Sequence, residues 1–319
     1  MLEKIVETYL SSNSSSLKEL KLIEDFAFIF VNNRYNLNID FYPFKDYIIK
    51  SDTLNYVHNF LASIDAKYAL EFDYALDHNK IIFEKTKKKK ETYKYGVTAS
   101  YTLKDSFDLI HVFFQYWMNK NGVLKKENDY FFDTLIFLIE FLFQDYLESL
   151  KYKNKEPYYQ KMNNFISVNV FTVHMIMELK LIELYQKKHS LNLDSFISEL
   201  KIHNISNEEM LPKNCQIMMD DILSIGSLSL PFHKKYLYSI LLASYMHGQI
   251  LKEPKLIHSF CYLIDHPENI KIEEFLKAIG ITVRIKEGKI ILSKVGYQKL
   301  KKHFLAELED CFIRANIDF

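Results

Sequence analysis

The residue whose surroundings most suggest chemistry is His111, which lies within the nearly continuous apolar segment FDLIHVFFQYWM. A buried imidazole needs a partner for each of its two ring nitrogens. His111 is therefore either a core histidine whose nitrogens are both satisfied by neighbouring side chains, or a ligand in a site. Most of the other histidines are isolated, which is typical of structural or surface positions.

His111 stands where a zinc motif would begin, and the residues after it depart from that motif. In H-E-x-x-H the two histidines lie four residues apart on one helical face and bind zinc, and the Glu polarises the attacking water. His111 stands at the first His position, Val112 at the Glu position and Gln115 at the second His position. Over this segment, TLKDSFDLIHVFFQY, the chain resembles the M3-type and oligoendopeptidase F-like zinc peptidases.

The resemblance continues in the next predicted helix. The family pattern there is approximately F-x-E-x-x-S-x-x-x-E, in which the first Glu is the third zinc ligand, and this chain has FFDTLIFLIE from Phe131. Asp133 stands at the ligand position, and Glu140 keeps the second carboxylate; in an alternative register Glu140 is itself the ligand. The two carboxylates lie about two helical turns apart on one face. We therefore expect this helix to pack against the His111 helix, with all three side chains around one cavity.

A later segment, PFHKKYLYSILLASY from Pro231, resembles the family helix whose His and two tyrosines hold the substrate carbonyl and its developing oxyanion. His233, Tyr238 and Tyr245 have the family's offsets, which makes them candidates for a peptide groove. The alternative is that both tyrosines are core residues with satisfied hydroxyls. With IEEFLKAIGI from Ile272, the matched blocks extend in patches over about residues 100–280.

The departures from the family pattern remove the chemistry that the pattern would supply. Val112 cannot accept a proton, and Gln115 offers a neutral amide oxygen, a poorer zinc ligand than imidazole. Loss of a general base alone costs about 10²–10⁴ in rate. We expect no catalytic residues and no cofactor. His111, Asp133 and Glu140 are vestigial metal candidates, which would hold zinc only in an atypical metallopeptidase.

These observations lead to one hypothesis and two alternatives. The leading hypothesis is a catalytically inactive peptidase-like protein, a pseudopeptidase, which binds a peptide or protein partner in a retained groove; an active peptidase relative could be that partner. The first alternative is an atypical metallopeptidase with a non-standard metal site. The second is a DNA-binding regulator with a winged-helix-like hairpin at residues 282–293. Its phosphate contacts would be Lys286, Lys289, Lys294, Lys299, Lys301 and Lys302.

Charge and motif content narrow these choices. The chain has 41 basic residues (Lys and Arg) and 41 acidic residues (Asp and Glu). This zero net charge argues against a nucleic-acid partner. No G-x-S-x-G, P-loop or G-x-G-x-x-G motif occurs in the chain. Cys261 stands between His258 and His266 in sequence, so a Cys–His nucleophile pair is a weak further option.

The elements that must position these residues are predicted to be mainly helices. Only 7 Gly and 6 Pro occur among 319 residues, which favours long helices with few sharp turns. We predict a single mainly α domain over residues 1–319, a multi-helix peptidase-like catalytic domain. Two or three strands are predicted in residues 68–103, from YALEFDYAL, KIIFEK and YGVTASYTL, and a β-hairpin at residues 282–293.

Cysteine usage and hydropathy predict the compartment. The three cysteines are far apart and form no C-x-x-C, which favours a reducing environment. The charged N-terminal segment MLEKIVETYL does not have the pattern of a signal peptide. The most apolar stretch, residues 131–147, is too short and too charged to span a bilayer. We therefore predict a cytoplasmic protein without membrane contact.

Overall fold

The computed structural model describes residues 1–13, 50–84, 95–99, 102–122, 129–150, 156–202, 211–266, 271–286 and 289–315. Within these ranges the chain forms twelve helices and four short strands, which confirms the predicted mainly α fold. No helix in the described part combines the length and hydropathy needed to cross a membrane.

The helices are α1 (Leu2–Asn13), α2 (Lys50–Ile64), α3 (Ala66–Asp77), α4 (Lys104–Asn121), α5 (Asp129–Ser149), α6 (Glu156–Lys188), α7 (Leu193–Ile202), α8 (Leu211–Ile225), α9 (Leu230–Lys252), α10 (Leu256–Asp265), α11 (Ile272–Ala278) and α12 (Lys294–Ala315). The strands are β1 (Ile82–Glu84), β2 (Gly96–Thr98), β3 (Val283–Lys286) and β4 (Lys289–Leu292).

The chain divides into two compact units. The first unit comprises residues 1–39, 164–238 and 319, and the second comprises residues 40–163 and 239–318. Helices α6 and α9 contribute residues to both units. The expectation of one domain over the whole chain stays a prediction.

Aromatic side chains form much of the core of the second unit, where α4 packs against α2 and α5. The ring of Phe143 on α5 lies 5.0 Å from that of Phe60 and 4.9 Å from that of Phe107, measured between centroids. Such tilted and edge-to-face pairs add attraction beyond the burial of apolar area. This core fixes the two helices that carry His111 and Glu140.

The prediction of a strand at YALEFDYAL is wrong, because this segment belongs to helix α3. The carboxylate of Asp65 accepts a hydrogen bond from the backbone N–H of Lys67 over 3.0 Å and caps the helix. The buried side chains are Tyr68, Ala69, Phe72 and Ala75. They follow the i, i+4, i+7 spacing of one helical face, so the cap and the face together outweigh the β-propensity of the separate residues.

The other predicted strands are present. KIIFEK and YGVTASYTL contain β1 and β2, which pair in parallel with Phe83 opposite Val97. The predicted hairpin is confirmed: β3 and β4 are antiparallel, with Val283 opposite Leu292. Residues 287 and 288, between the two strands, lie outside the described residues.

Candidate functional site

The packing of α4 against α5 brings together His111 and Glu140, two of the three side chains that the resemblance led us to expect around one cavity. The ring nitrogen Nδ1 of His111 lies 2.7 Å from Oε1 of Glu140, which is 7 % exposed. One turn further along α4, the amide nitrogen of Gln115 lies 2.9 Å from the other ring nitrogen, Nε2. In the neutral ring Nδ1–H donates to Glu140, and Nε2 accepts from Gln115.

The electrostatics of this pair raise the pKa of His111. Burial lowers the pKa of His111, but the hydrogen bond that His111 donates to Glu140 and the negative charge of Glu140 together outweigh burial, so that the pKa lies above its ordinary value. The more distant charges of Asp133 and Asp108 act in the same direction. His111 is thus a half-buried histidine with a polar partner on each nitrogen.

Val112 and Asp133, the other residues singled out with His111, do not complete a metal site among the described residues. Val112 and Asp133 are both half-buried. Among the described residues, no group of three or more His, Cys, Asp or Glu side chains is placed to hold a metal ion. The ring of His111 contacts the carboxylate of Glu140 and the neutral amide of Gln115.

Of the groove candidates, His233 and Tyr238 belong to the first unit. Nδ1 of His233 lies 3.2 Å from the hydroxyl oxygen of Ser229, and its ring contacts that of His174 at 5.5 Å between centroids. Burial, with a smaller effect of the neighbouring His174, lowers the pKa of His233 to about 4, so its ring is neutral at pH 7. Tyr238 is 1 % exposed, and the ammonium of Lys234 lies over its ring.

Tyr245, the third groove candidate, belongs to the second unit and is also buried. Its hydroxyl donates a hydrogen bond to the backbone carbonyl of Ile279 over 3.1 Å. The ammonium of Lys299 lies 5.1 Å from the centroid of its ring. These contacts are those of a core tyrosine with a satisfied hydroxyl, which was the alternative considered for it.

Sequence reasoning missed a second buried histidine cluster in the second unit. His247 on α9 is 1 % exposed; its Nε2 lies 2.6 Å from Asp145 and its Nδ1 lies 3.1 Å from Glu307. Burial lowers the pKa of His247, but the two carboxylates outweigh burial and raise it. Only the doubly protonated ring can donate to both carboxylates. The signal available in the sequence was the one that singled out His111, a histidine inside an apolar helix.

Beside this cluster, Gly248 on α9 leaves room for the ring of His303 on α12. A Cβ added at Gly248 would lie 2.3 Å from Cε1 of His303. The ring of His303 reaches the backbone carbonyl of Ser244 over 2.9 Å. The hydroxyl of Ser244 in turn donates to Glu307 over 2.5 Å, so the cluster ties α5, α9 and α12 together.

A buried carboxylate in the first unit was also missed. Glu178 on α6 accepts hydrogen bonds from the backbone N–H and hydroxyl of Ser229 and from the backbone N–H of Leu230, over 2.9, 2.5 and 2.7 Å. It thereby satisfies N–H groups at the start of α9 that have no partner within the helix. Burial raises the pKa of Glu178 more than these hydrogen bonds lower it. A charged residue within the apolar run MIMELKLIEL was the sequence signal.

Cys261 does not have the surroundings of a nucleophile. Burial raises the pKa of its thiol, with the neighbouring carboxylates of Asp265 and Asp65 adding to this, against the opposing effects of Tyr68 and Lys67. A thiol with a raised pKa is largely protonated at neutral pH and reacts slowly.

Comparisons of the sequence and the fold with known protein families, curated proteins and solved structures found no match.

Proposed function

We propose that the protein is a catalytically inactive, peptidase-like protein that binds a peptide or protein partner. The observation that carries the proposal is the pairing of His111 with Glu140 and Gln115, which occupies both ring nitrogens. Val112, beside it, has no group that could accept a proton from water. The binding part rests on the resemblance to peptidases, whose fold encloses a groove for an extended peptide.

A peptide pool tests binding and cleavage together. The purified chain is offered short peptides of random sequence, and mass spectrometry follows which peptides are retained and whether they are cut. We expect a related subset to be retained intact. Retention of no peptide above the level of heat-denatured protein refutes the binding proposal. Cleavage at a defined bond, lost in His111→Ala, replaces it with the metallopeptidase alternative.

Elemental analysis separates the same two alternatives without a substrate. The proposal expects less than stoichiometric zinc after purification without added metal, because Gln115 replaces the second imidazole. Stoichiometric zinc that falls in His111→Ala would indicate that His111, Asp133 and Glu140 form a metal site.

The variant Tyr238→Phe distinguishes a groove tyrosine from a core tyrosine. Since Tyr238 is 1 % exposed, we expect the melting temperature to fall, by the equivalent of one hydrogen bond or about 0.5–1.5 kcal/mol, while peptide affinity is kept. Tyr262→Phe, at an exposed position, is the matched control. Weakened peptide binding at an unchanged melting temperature would instead assign the Tyr238 hydroxyl to the groove.

The contacts around the C-terminal hairpin do not favour the DNA-binding alternative. Helix α11, which directly precedes the hairpin and would be its recognition helix, carries Glu273 and Glu274, both exposed. Carboxylates at that position repel phosphates. Lys299, one of the proposed phosphate contacts, donates to the backbone carbonyl of Gly280 over 3.0 Å.

The proposed location is the cytoplasm. Cys215 and Cys261 are free cysteines, as expected in a reducing compartment. Fractionation of cells that express a tagged chain tests this assignment.

A further inference from the structure

A recess of about 470 Å³ lies in the first unit, between helix α1 and the turn that joins α8 to α9. Its lining consists of Met1, Lys4, Ile5, Thr8, Tyr9, Ser12, Gly226, Ser227, Leu228 and Pro231. The α1 residues recur at the three- and four-residue spacing of one helical face, about 16 Å long at 1.5 Å per residue. The proposed function does not use this recess.

The body of the recess is apolar. Tyr9 and Leu228 are buried, Ile5 is half-buried, and Pro231 lies at its edge. The hydroxyl groups of Thr8 and Ser12 donate to backbone carbonyls within α1, over 2.8 and 2.9 Å. These hydroxyls therefore have no proton left to donate to a ligand. Because the rest of the lining is apolar, it suits an extended hydrocarbon chain.

The residues that line the recess include donors that have no partner among the described residues. Within the described residues the ammonium group of Lys4 forms no ion pair. The backbone N–H groups of Ser227 and Leu228 likewise have no acceptor in the described part of the chain. By contrast, the N–H groups of the next two residues, 229 and 230, both donate to Glu178. An anionic head group would supply the missing acceptors.

We propose that this recess binds a small apolar carboxylate, of the class of medium-chain fatty acids. Its volume lies in the range of about 300–1,000 Å³ that is usual for small-molecule sites. A protein partner is not favoured, since a stable interface covers about 800 Å² on each side, and ten residues provide far less. The apolar face of α1 would hold the chain, and Lys4 with the two N–H groups would hold the carboxylate.

The test is calorimetric titration of the full chain with decanoate, octanoate and decanol, each kept below its aggregation concentration. We expect decanoate to bind, and octanoate, two methylenes shorter, to bind up to about fifteenfold more weakly. Decanol, which lacks the charge, is expected to bind about two- to fivefold more weakly than decanoate. Absence of decanoate binding at about 1 mM, the weak end of specific binding, overturns the proposal.

Two pairs of variants locate the site. Thr8→Phe places a ring in the recess from an exposed position and is expected to abolish binding, whereas Ser11→Phe, exposed on α1 outside the lining, is expected to keep it. Lys4→Gln should weaken decanoate binding about two- to fivefold, and the exposed Lys188→Gln should not. If the two variants of either pair change decanoate affinity equally, the assignment of the site to this recess is wrong. Should Thr8→Phe fail to fold, the lysine pair still decides.

One further titration distinguishes a fatty acid from a peptide C-terminus as the ligand that supplies the carboxylate. An acetylated tripeptide that ends in leucine with a free carboxylate is titrated against the same variants. Weaker binding than decanoate supports the fatty-acid assignment. Equal or tighter binding, with the same response to Lys4→Gln, overturns it in favour of a peptide C-terminus.

Discussion

The substitution Glu140→Gln tests the electrostatic account of the His111 site. It keeps the shape of the side chain and an oxygen that can accept from Nδ1–H of His111, 2.7 Å away, but it removes the negative charge. Burial acts on His111 in the opposite direction to Glu140 and is the larger single effect. Without the charge, burial prevails, and the pKa of His111 should move from above its ordinary value to below it.

The magnitude follows from the strength of a charged hydrogen bond. Such a bond contributes about 1.5–3 kcal/mol, and one pKa unit corresponds to about 1.4 kcal/mol, so the pKa of His111 should fall by about 1–2 units. A histidine whose pKa is raised on folding contributes stability that is complete below its unfolded pKa, about 6.5, and is lost as pH rises through the folded value. The stability difference between wild type and variant should therefore be largest at mildly acid pH and shrink as pH rises.

Two measurements check this expectation. NMR titration of the histidine ring protons gives the pKa of His111, whose signal is identified by its absence in His111→Gln. Urea denaturation across the pH range gives the free energy of unfolding. Glu148→Gln on the same helix, where Glu148 accepts from Gln144 rather than from His111, is the control. An unchanged or raised pKa of His111 in Glu140→Gln would show that the reasoning about this pair is wrong.

Three further predictions concern Glu178 and His247, which the sequence did not reveal, and His233. Glu178→Ala removes the acceptor at the start of α9 and should lower the free energy of unfolding by about 1–3 kcal/mol in urea denaturation, while the exposed Glu274→Ala should change it little. His247→Gln breaks a buried charge pair and should cost about 3–5 kcal/mol; additive losses in a double variant with Asp145→Asn would contradict the pairing. Because the pKa of His233 is lowered to about 4 from 6.5, the unfolded chain binds the proton first as pH falls. Stability should therefore decline between these values, and His233→Gln should flatten that decline.

Local sequence patterns predicted the helices of the chain and singled out His111 as a candidate site residue. A histidine inside an apolar helix needs partners for both nitrogens, and the four-residue spacing to Gln115 places one of them on the same face. The other partner, Glu140, lies 29 residues further along the chain. Its approach depended on the packing of α4 against α5, which the family resemblance led us to expect.

The segment YALEFDYAL shows where prediction from local sequence patterns failed. Aromatic and apolar residues there satisfy both a strand and a helix, and the choice depends on which face is buried. The cap by Asp65 and the burial of the face that carries Phe72 decided in favour of the helix.

The sequence by itself determined the mainly α fold, the C-terminal hairpin and the departures from H-E-x-x-H at Val112 and Gln115, because helix periodicity, turn residues and residue identity are properties of short segments. Only the tertiary structure decided which charges meet. Glu178 faces Ser229 from 51 residues away, and His247 faces Asp145 from 102 residues away. No local pattern encodes such pairs, because the pKa and the partner of a buried group depend on the charges and the burial that distant helices bring to it.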